Sequence, residues 1–147
     1  MQHPISNSLT NTQTSNWEHE YTYELSNERI DYIIDKLAKI MPEERPFLKY
    51  RYAIRNLADD IQVPAYQLSA YLNQKAGMKF NDYLNKFRVS YCEHLLQTGI
   101  MEQLNLKGLA LHCGFKNRNT FASAFKKFTG TTPSHYLQHV HRNNGLV

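Results

Sequence analysis

Residues 54–72 read IRNLADDIQVPAYQLSAYL, and residues 106–125 read LKGLALHCGFKNRNTFASAF. Each opens on a short apolar run holding a Leu-Ala pair, Leu57-Ala58 in one and Leu109-Ala110 in the other. Each then breaks at a tight turn and resumes as a second helix with polar residues on one face. This is a helix-turn-helix pattern written twice, with a long amphipathic stretch between the copies. Two such units in one chain could set two recognition helices into successive major-groove segments of one DNA duplex.

Working outward, the stretch between the copies predicts the longest helix, over residues 80–97. Its apolar stripe is Phe80, Tyr83, Leu84, Phe87, Tyr91 and Leu95, and Gly99 follows as a stop. At 1.5 Å per residue it would be roughly 27 Å long. Upstream, Ser26 can cap a helix to residue 40 with Ile30, Ile33, Ile34 and Leu37 on one face, which Met41-Pro42 should end. Residues 42–53 read as a connection with two prolines and the aromatics Phe47, Tyr50 and Tyr52. The first unit is expected as helices over 54–60 and 64–75, with Gly77 as C-terminal stop. The second is expected as helices over 106–113 and, capped by Asn117, to residue 129 before Gly130. Thr132-Pro133 then starts a seventh helix carrying Tyr136, Leu137 and Val140.

The first 16 residues (MQHPISNSLTNTQTSN) are too polar to bury enough surface to order themselves. Trp17, His19, Tyr21, Tyr23 and Leu25 then alternate with Glu18, Glu20, Thr22 and Glu24, a period-2 pattern that reads as a strand docking on the helices, adding to a protein partner's sheet edge or left as a linker remnant, or else as a flexible tail with some aromatics. The reading therefore divides the chain into a polar, acidic, flexible segment over 1–25, a tandem domain over 26–141, and a frayed tail over 142–147. Within the domain, the first unit covers 26–78, the linker helix 80–97 and the second unit 100–141. The fold expected is all-α, with about seven helices.

The net charge of +4 hides an asymmetry. Residues 1–45 carry a net −4 and residues 46–147 a net +8. The paired-helix region is thus strongly basic, which suits a polyanionic partner. Two cysteines, Cys92 and Cys113, make no disulfide framework and no zinc-finger spacing. No apolar run approaches the roughly 20 residues that span a bilayer, and the N-terminus lacks the order of a signal peptide.

The residues from Phe80 to Leu137 carry a family likeness. Gly114-Phe115, Thr120-Phe121, Ala124-Phe125-Lys126, Gly130, Thr132-Pro133 and Tyr136 stand at the spacing of a second unit. Tyr83-Leu84, Asn85, Arg88-Val89 and Leu95-Leu96 stand as a linker helix, and Leu57-Ala58, Leu68-Ser69, Asn73 and Gly77 as a first unit. The chain resembles the DNA-binding domain of AraC/XylS-type bacterial transcription regulators, in the branch found as C-terminal output domains of larger sensors. The likeness covers roughly residues 26–140. It departs at Gln62, where relatives often have a turn glycine, and at Pro64, where they often have a capping serine. A glutamine in a left-handed turn costs about 1 kcal/mol.

The resemblance implies groove-facing positions at Tyr66, Ser69, Ala70 and Asn73 on the third helix, and at Arg118, Asn119, Thr120 and Ser123 on the sixth. In some relatives arginines occupy the positions of Ala70 and Ser123. Here Arg118 is the one long donor suited to guanine O6 and N7; Asn73 and Asn119 suit adenine, and Thr120 a thymine methyl. Phosphate contacts are expected from Arg51, Arg55 and Lys75 around the first unit and from Lys116, Asn117, Lys126 and Lys127 around the second. Structural roles fall to Arg88, which should tie the two units together, and to Gly114, Phe115 and Pro133. Leu68, Phe121, Phe125 and Phe128 are expected in the core.

His135 and His139, four apart, lack a third ligand and any HExxH motif, so neither a metal nor a cofactor is expected. No nucleophile-base pairing or phosphate loop supports an enzyme. The expected function is sequence-specific binding of double-stranded DNA to regulate transcription in the bacterial cytoplasm, at the nucleoid, with RNA polymerase as a further partner and no membrane. The alternative is a protein-interaction module, binding RNA polymerase or a regulator, with DNA binding secondary. A third reading is a solitary output fragment whose sensing half lies elsewhere.

Overall fold

The computed structural model describes residues 24–99 and 105–143, and among them lie seven α-helices and no strand. Helix α1 spans Asn27–Glu44, α2 Ile54–Asp60, α3 Ala65–Tyr71, α4 Phe80–Thr98, α5 Leu106–His112, α6 Arg118–Thr129 and α7 Pro133–Asn143. The alternating stretch over 17–23 lies outside the described residues; Leu25, at its end, is buried at 6%.

Helix starts follow the caps read from sequence. The Ser26 hydroxyl accepts from the Arg29 amide at 3.2 Å, the Asn117 side chain accepts from Thr120 N at 2.9 Å, and Thr132 Oγ1 accepts from His135 N at 3.3 Å. Left-handed glycines close three helices: Gly77 follows the wider, π-type turn Leu72–Ala76 that prolongs α3, Gly99 ends α4, and Gly130 ends α6.

Four expectations need correction. Pro42 does not end α1, which runs on to Glu44 and stops at Arg45 in the left-handed region, with Pro46 behind it. A proline in the last turn forfeits one backbone bond, while Ile40 and Met41 beside it are buried in the core and hold that turn helical. Ile34 is 43% exposed, because the buried face of α1 centres on Ile33, Leu37 and Ile40. Helix α7 continues through Arg142 and Asn143, at the start of the expected frayed tail.

The fourth correction concerns α4, which does not bury a single stripe. Two cores form along its length. The first gathers Leu25, Ile33, Leu37, Met41, Phe47, Leu57, Leu68, Leu72 and Leu84, with Phe80, Tyr83 and Phe87 packed against it. The second gathers Val89, Cys92, Leu95 and Leu96 with Leu109, Ala110, Cys113, Phe115, Phe121, Ala124 and Phe125. The buried side of α4 shifts by about a third of a turn between them. The helix therefore serves each unit with a different face, and Tyr91 touches both cores.

Candidate nucleic-acid interface

Both turns close with the same backbone bonds. In the first, Ile61 N donates to Leu57 O at 3.0 Å, Gln62 N to Asp59 O at 3.1 Å and Val63 N to Ala58 O at 2.9 Å. In the second, Cys113 N donates to Leu109 O at 3.0 Å, Gly114 N to Leu111 O at 3.1 Å and Phe115 N to Ala110 O at 2.9 Å. The Leu-Ala pairs supply two of the three acceptors in each turn, and their side chains serve the core at the same time: Leu57, Ala58, Leu109 and Ala110 are all buried. The central residue is left-handed in each, Gln62 at φ 60 and Gly114 at φ 87.

After the turn the units diverge. Helix α3 follows Pro64, whose side chain has no polar atom to cap it with. Helix α6 starts one residue later in its turn, past Lys116, at the hydrogen-bonding Asn117. The short helix before each turn is capped differently too. Asn105 Oδ1 accepts from Gly108 N at 2.8 Å in the second unit. Ala53 offers no acceptor, and instead Asn56 Oδ1 reaches back to Ala53 N at 2.8 Å.

On α6, Arg118, Asn119, Thr120 and Ser123 are all exposed. Asn119, Thr120 and Ser123 line a shallow cleft of about 360 Å³ with Asp82, Asn85, Ala124 and Lys127. On α3 the four expected positions are less uniform. Tyr66 is 57% exposed and Asn73 is exposed, but Ser69 is half-buried. Ala70 is half-buried against the first core, so its methyl is shared between packing and surface. Asn73 Nδ2 lies 3.5 Å from Ser69 Oγ, a long internal bond between two of these positions. Asn73 and Lys75 stand in the π-type turn rather than in regular α-helix.

The expected phosphate-contact residues Arg51, Arg55, Lys75, Lys116, Asn117, Lys126 and Lys127 are all exposed. Arg51 holds a left-handed backbone at φ 51 with its guanidinium 5.2 Å from the Tyr50 ring centre. A crevice of about 350 Å³ between the units is rimmed by Lys49, Arg51 and Lys116. Lys49 was not among the residues singled out from sequence; its place follows from the neighbouring 3₁₀ turn Pro46–Leu48 meeting the second unit. Lys127 Nζ stands 2.9 Å from Asp82 Oδ1.

Arg88 touches both units. Its Nε donates to Phe47 O at 2.7 Å, one Nη donates to Asn85 Oδ1 at 2.9 Å, and its guanidinium lies 5.7 Å from the Phe115 ring centre. Burial pushes its pKa below the usual arginine value. Gly114 is pressed into the same junction, where a Cβ would meet Phe47 O at 2.6 Å and Arg88 Nε at 3.2 Å. Pro133 is buried at the start of α7, and Tyr136 of the same helix packs edge-on to Phe125. A tie that sequence did not suggest joins α1 to α3: Arg29 Nε donates to the buried Gln67 Oε1 at 2.5 Å.

Cys92 and Cys113 are fully buried side by side, and the Cys92 pKa is raised, first by its hydrogen bond with Cys113 and then by burial. A thiol so held lacks the thiolate character of a reactive cysteine. His135 and His139 have ring centres 6.0 Å apart, and among the described residues no three His, Cys, Asp or Glu gather to hold a metal. No helix among the described residues is long and apolar enough to cross a membrane.

A family model described as a helix-turn-helix domain matches residues 57–139, more than half of the chain. The chain belongs to the AraC/XylS-type helix-turn-helix family. Among relatives of this family, the HTH-type transcriptional activator RhaR of Escherichia coli K12 is 30% identical over 100 residues, which is 68% of this chain and 34% of RhaR. The chain thus spans about a third of the length of the curated relatives it matches. The C-terminal domain of the two-component response regulator yesN from Fusobacterium nucleatum is 25% identical with a TM-score of 0.55, covering 76% of this chain and 99% of that domain. The DNA-binding domain of the transcriptional factor AdpA, solved with a target DNA, shares the fold: TM-score 0.61 and 17% identity, over 76% of this chain and 94% of that one.

Proposed function

We propose that this chain is a transcription regulator that binds double-stranded DNA by sequence, with α3 and α6 in successive major-groove segments. The observation that carries the reading is the twice-built turn, which leaves the polar face of α6 and the outer face of α3 exposed. RhaR, named as a transcriptional activator, and AdpA, solved on its target DNA, support it by kinship.

In this reading the domain runs over 26–141, with α4 setting the separation of the two reading helices. At 19 residues α4 is about 28 Å long, which with the flanking helices matches one duplex turn of roughly 34 Å. Arg118, Asn119, Thr120 and Ser123 read base edges in one segment, and Tyr66, Ser69 and Asn73, with the Ala70 methyl, meet the other. Arg51, Arg55, Lys75, Lys116 and Lys126, with Asn117 at the α6 N-terminus, fix register on the phosphates. The chain acts by binding rather than catalysis, in the bacterial cytoplasm at the nucleoid.

Titrating a mixed-sequence duplex at several salt concentrations tests this. Five cationic contacts predict a slope of log K against log salt of about −4.5. A slope near zero, or no binding at low salt, would defeat the DNA reading.

A further inference from the structure

Asp82 stands in the first turn of α4, yet its carboxylate reaches across to α6 and pairs with Lys127 at 2.9 Å. It is the one ion pair among the described residues. The pair closes one side of the cleft that Asn85, Asn119, Thr120 and Ser123 line, so it sits on the polar face of α6 itself. Residues 46–147 hold few acidic side chains against a net charge of +8, and this one is placed where a polyanion would approach. Its side chain is 36% exposed and that of Lys127 57% exposed, so water screens the pair and a stronger anion can break it. A DNA duplex, with one negative charge per roughly 1.7 Å, is such an anion.

We propose that Asp82 is a built-in competitor for DNA at the second unit: its carboxylate occupies Lys127 in the free protein, and a duplex gains that phosphate contact only by displacing it. The proposal rests on the DNA-binding reading above and adds to it a residue which that reading does not use. Competition of this kind weighs most on non-specific binding, which is almost wholly electrostatic. At a matching site the base contacts of Arg118 and Asn119 add to the phosphate attraction and carry the exchange. Asp82 thereby widens the gap between specific and non-specific affinity.

The test compares the wild-type chain with Asp82→Asn and Asp82→Ser on a mixed-sequence duplex over a salt series, each with and without Lys127→Met, with thermal melts to show that every variant folds. Removing the carboxylate should tighten binding roughly 3–10-fold at low salt and steepen the salt slope by about 1, the signature of one added phosphate contact. Lys127→Met should cost more without Asp82 than with it, so the two substitutions are coupled. Unchanged affinity and slope in both Asp82 variants would overturn the proposal. So would equal tightening when Lys127 is already methionine, since the carboxylate would then repel DNA without a latch. A wild-type chain that shows no salt-sensitive binding would bring down the DNA reading and the competitor together. Wild-type binding with unaltered Asp82 variants would bring down the competitor alone.

Discussion

In the first unit the turn passes through Gln62 at φ 60, and the next helix begins at an uncapped Pro64 and loosens into a π-type turn after seven residues. In the second, the same position is Gly114 at φ 87, and the next helix begins at a capping Asn117 and stays regular for 12 residues. The closing backbone bonds of the two turns are nevertheless the same to within about 0.1 Å. One turn geometry is thus held in two ways. The first unit holds it by packing, with Leu57, Ile61 and Leu68 almost fully buried and Gln67 tied to Arg29. The second combines packing with turn and cap chemistry, and carries the longer polar face. Turn geometry is therefore a poor guide to which unit reads more sequence, and the residues after the turn are a better one.

The largest expected effect comes from the turn glycine. Gly114→Ala adds a methyl against Phe47 O in a left-handed residue, and should cost about 2–4 kcal/mol in a denaturant or thermal melt. A loss below about 0.5 kcal/mol would show that the junction between the units can open. Next, Arg118→Ala should weaken binding to a selected duplex by about 1–3 kcal/mol, and Asn73→Ala by less than about 1 kcal/mol, because Asn73 lies in the distorted turn beside Ser69. Equal losses would erase the proposed inequality of the units. Asn117→Ala should remove about 1 kcal/mol of stability through the lost cap. Pro64→Ala, with no side-chain cap to lose, should not show that loss in the same melt. Smallest, Gln62→Gly should raise stability by about 0.5 kcal/mol, because relief of left-handed strain slightly exceeds the added chain entropy. A destabilised Gln62→Gly would mean that the glutamine side chain holds the first turn.

Much of this was legible because it is written locally. Ser26, Asn117 and Thr132-Pro133 start helices through bonds spanning three residues, and Gly77, Gly99 and Gly130 stop them. Helix α2 was expected over 54–60 and spans Ile54–Asp60. What was not legible depends on partners far along the chain. That Pro42 stays helical depends on the burial of Met41. That Ile34 is left outside depends on the face of α1 that Ile33, Leu37 and Ile40 bury in the first core. The two faces of α4 cannot be told apart until two cores exist, which is why Val89, Cys92 and Leu96 stood outside the expected stripe. A joining role for Arg88 was expected, but its acceptor, Phe47 O, is 41 residues away. Of the candidate interface, periodicity and resemblance gave the positions, whereas the Asp82–Lys127 pair and the partial burial of Ala70 come only from how the helices meet.

The most direct test is selection of the purified chain against random duplexes of about 30 base pairs, long enough for two segments one turn apart. Recovery should be repeated with Arg118→Ala and with Tyr66→Ala. The account predicts two short blocks about one helical turn apart, the stronger block lost with Arg118→Ala and the weaker one blurred by Tyr66→Ala. A single block indifferent to Arg118→Ala, or no enrichment at all, would contradict it.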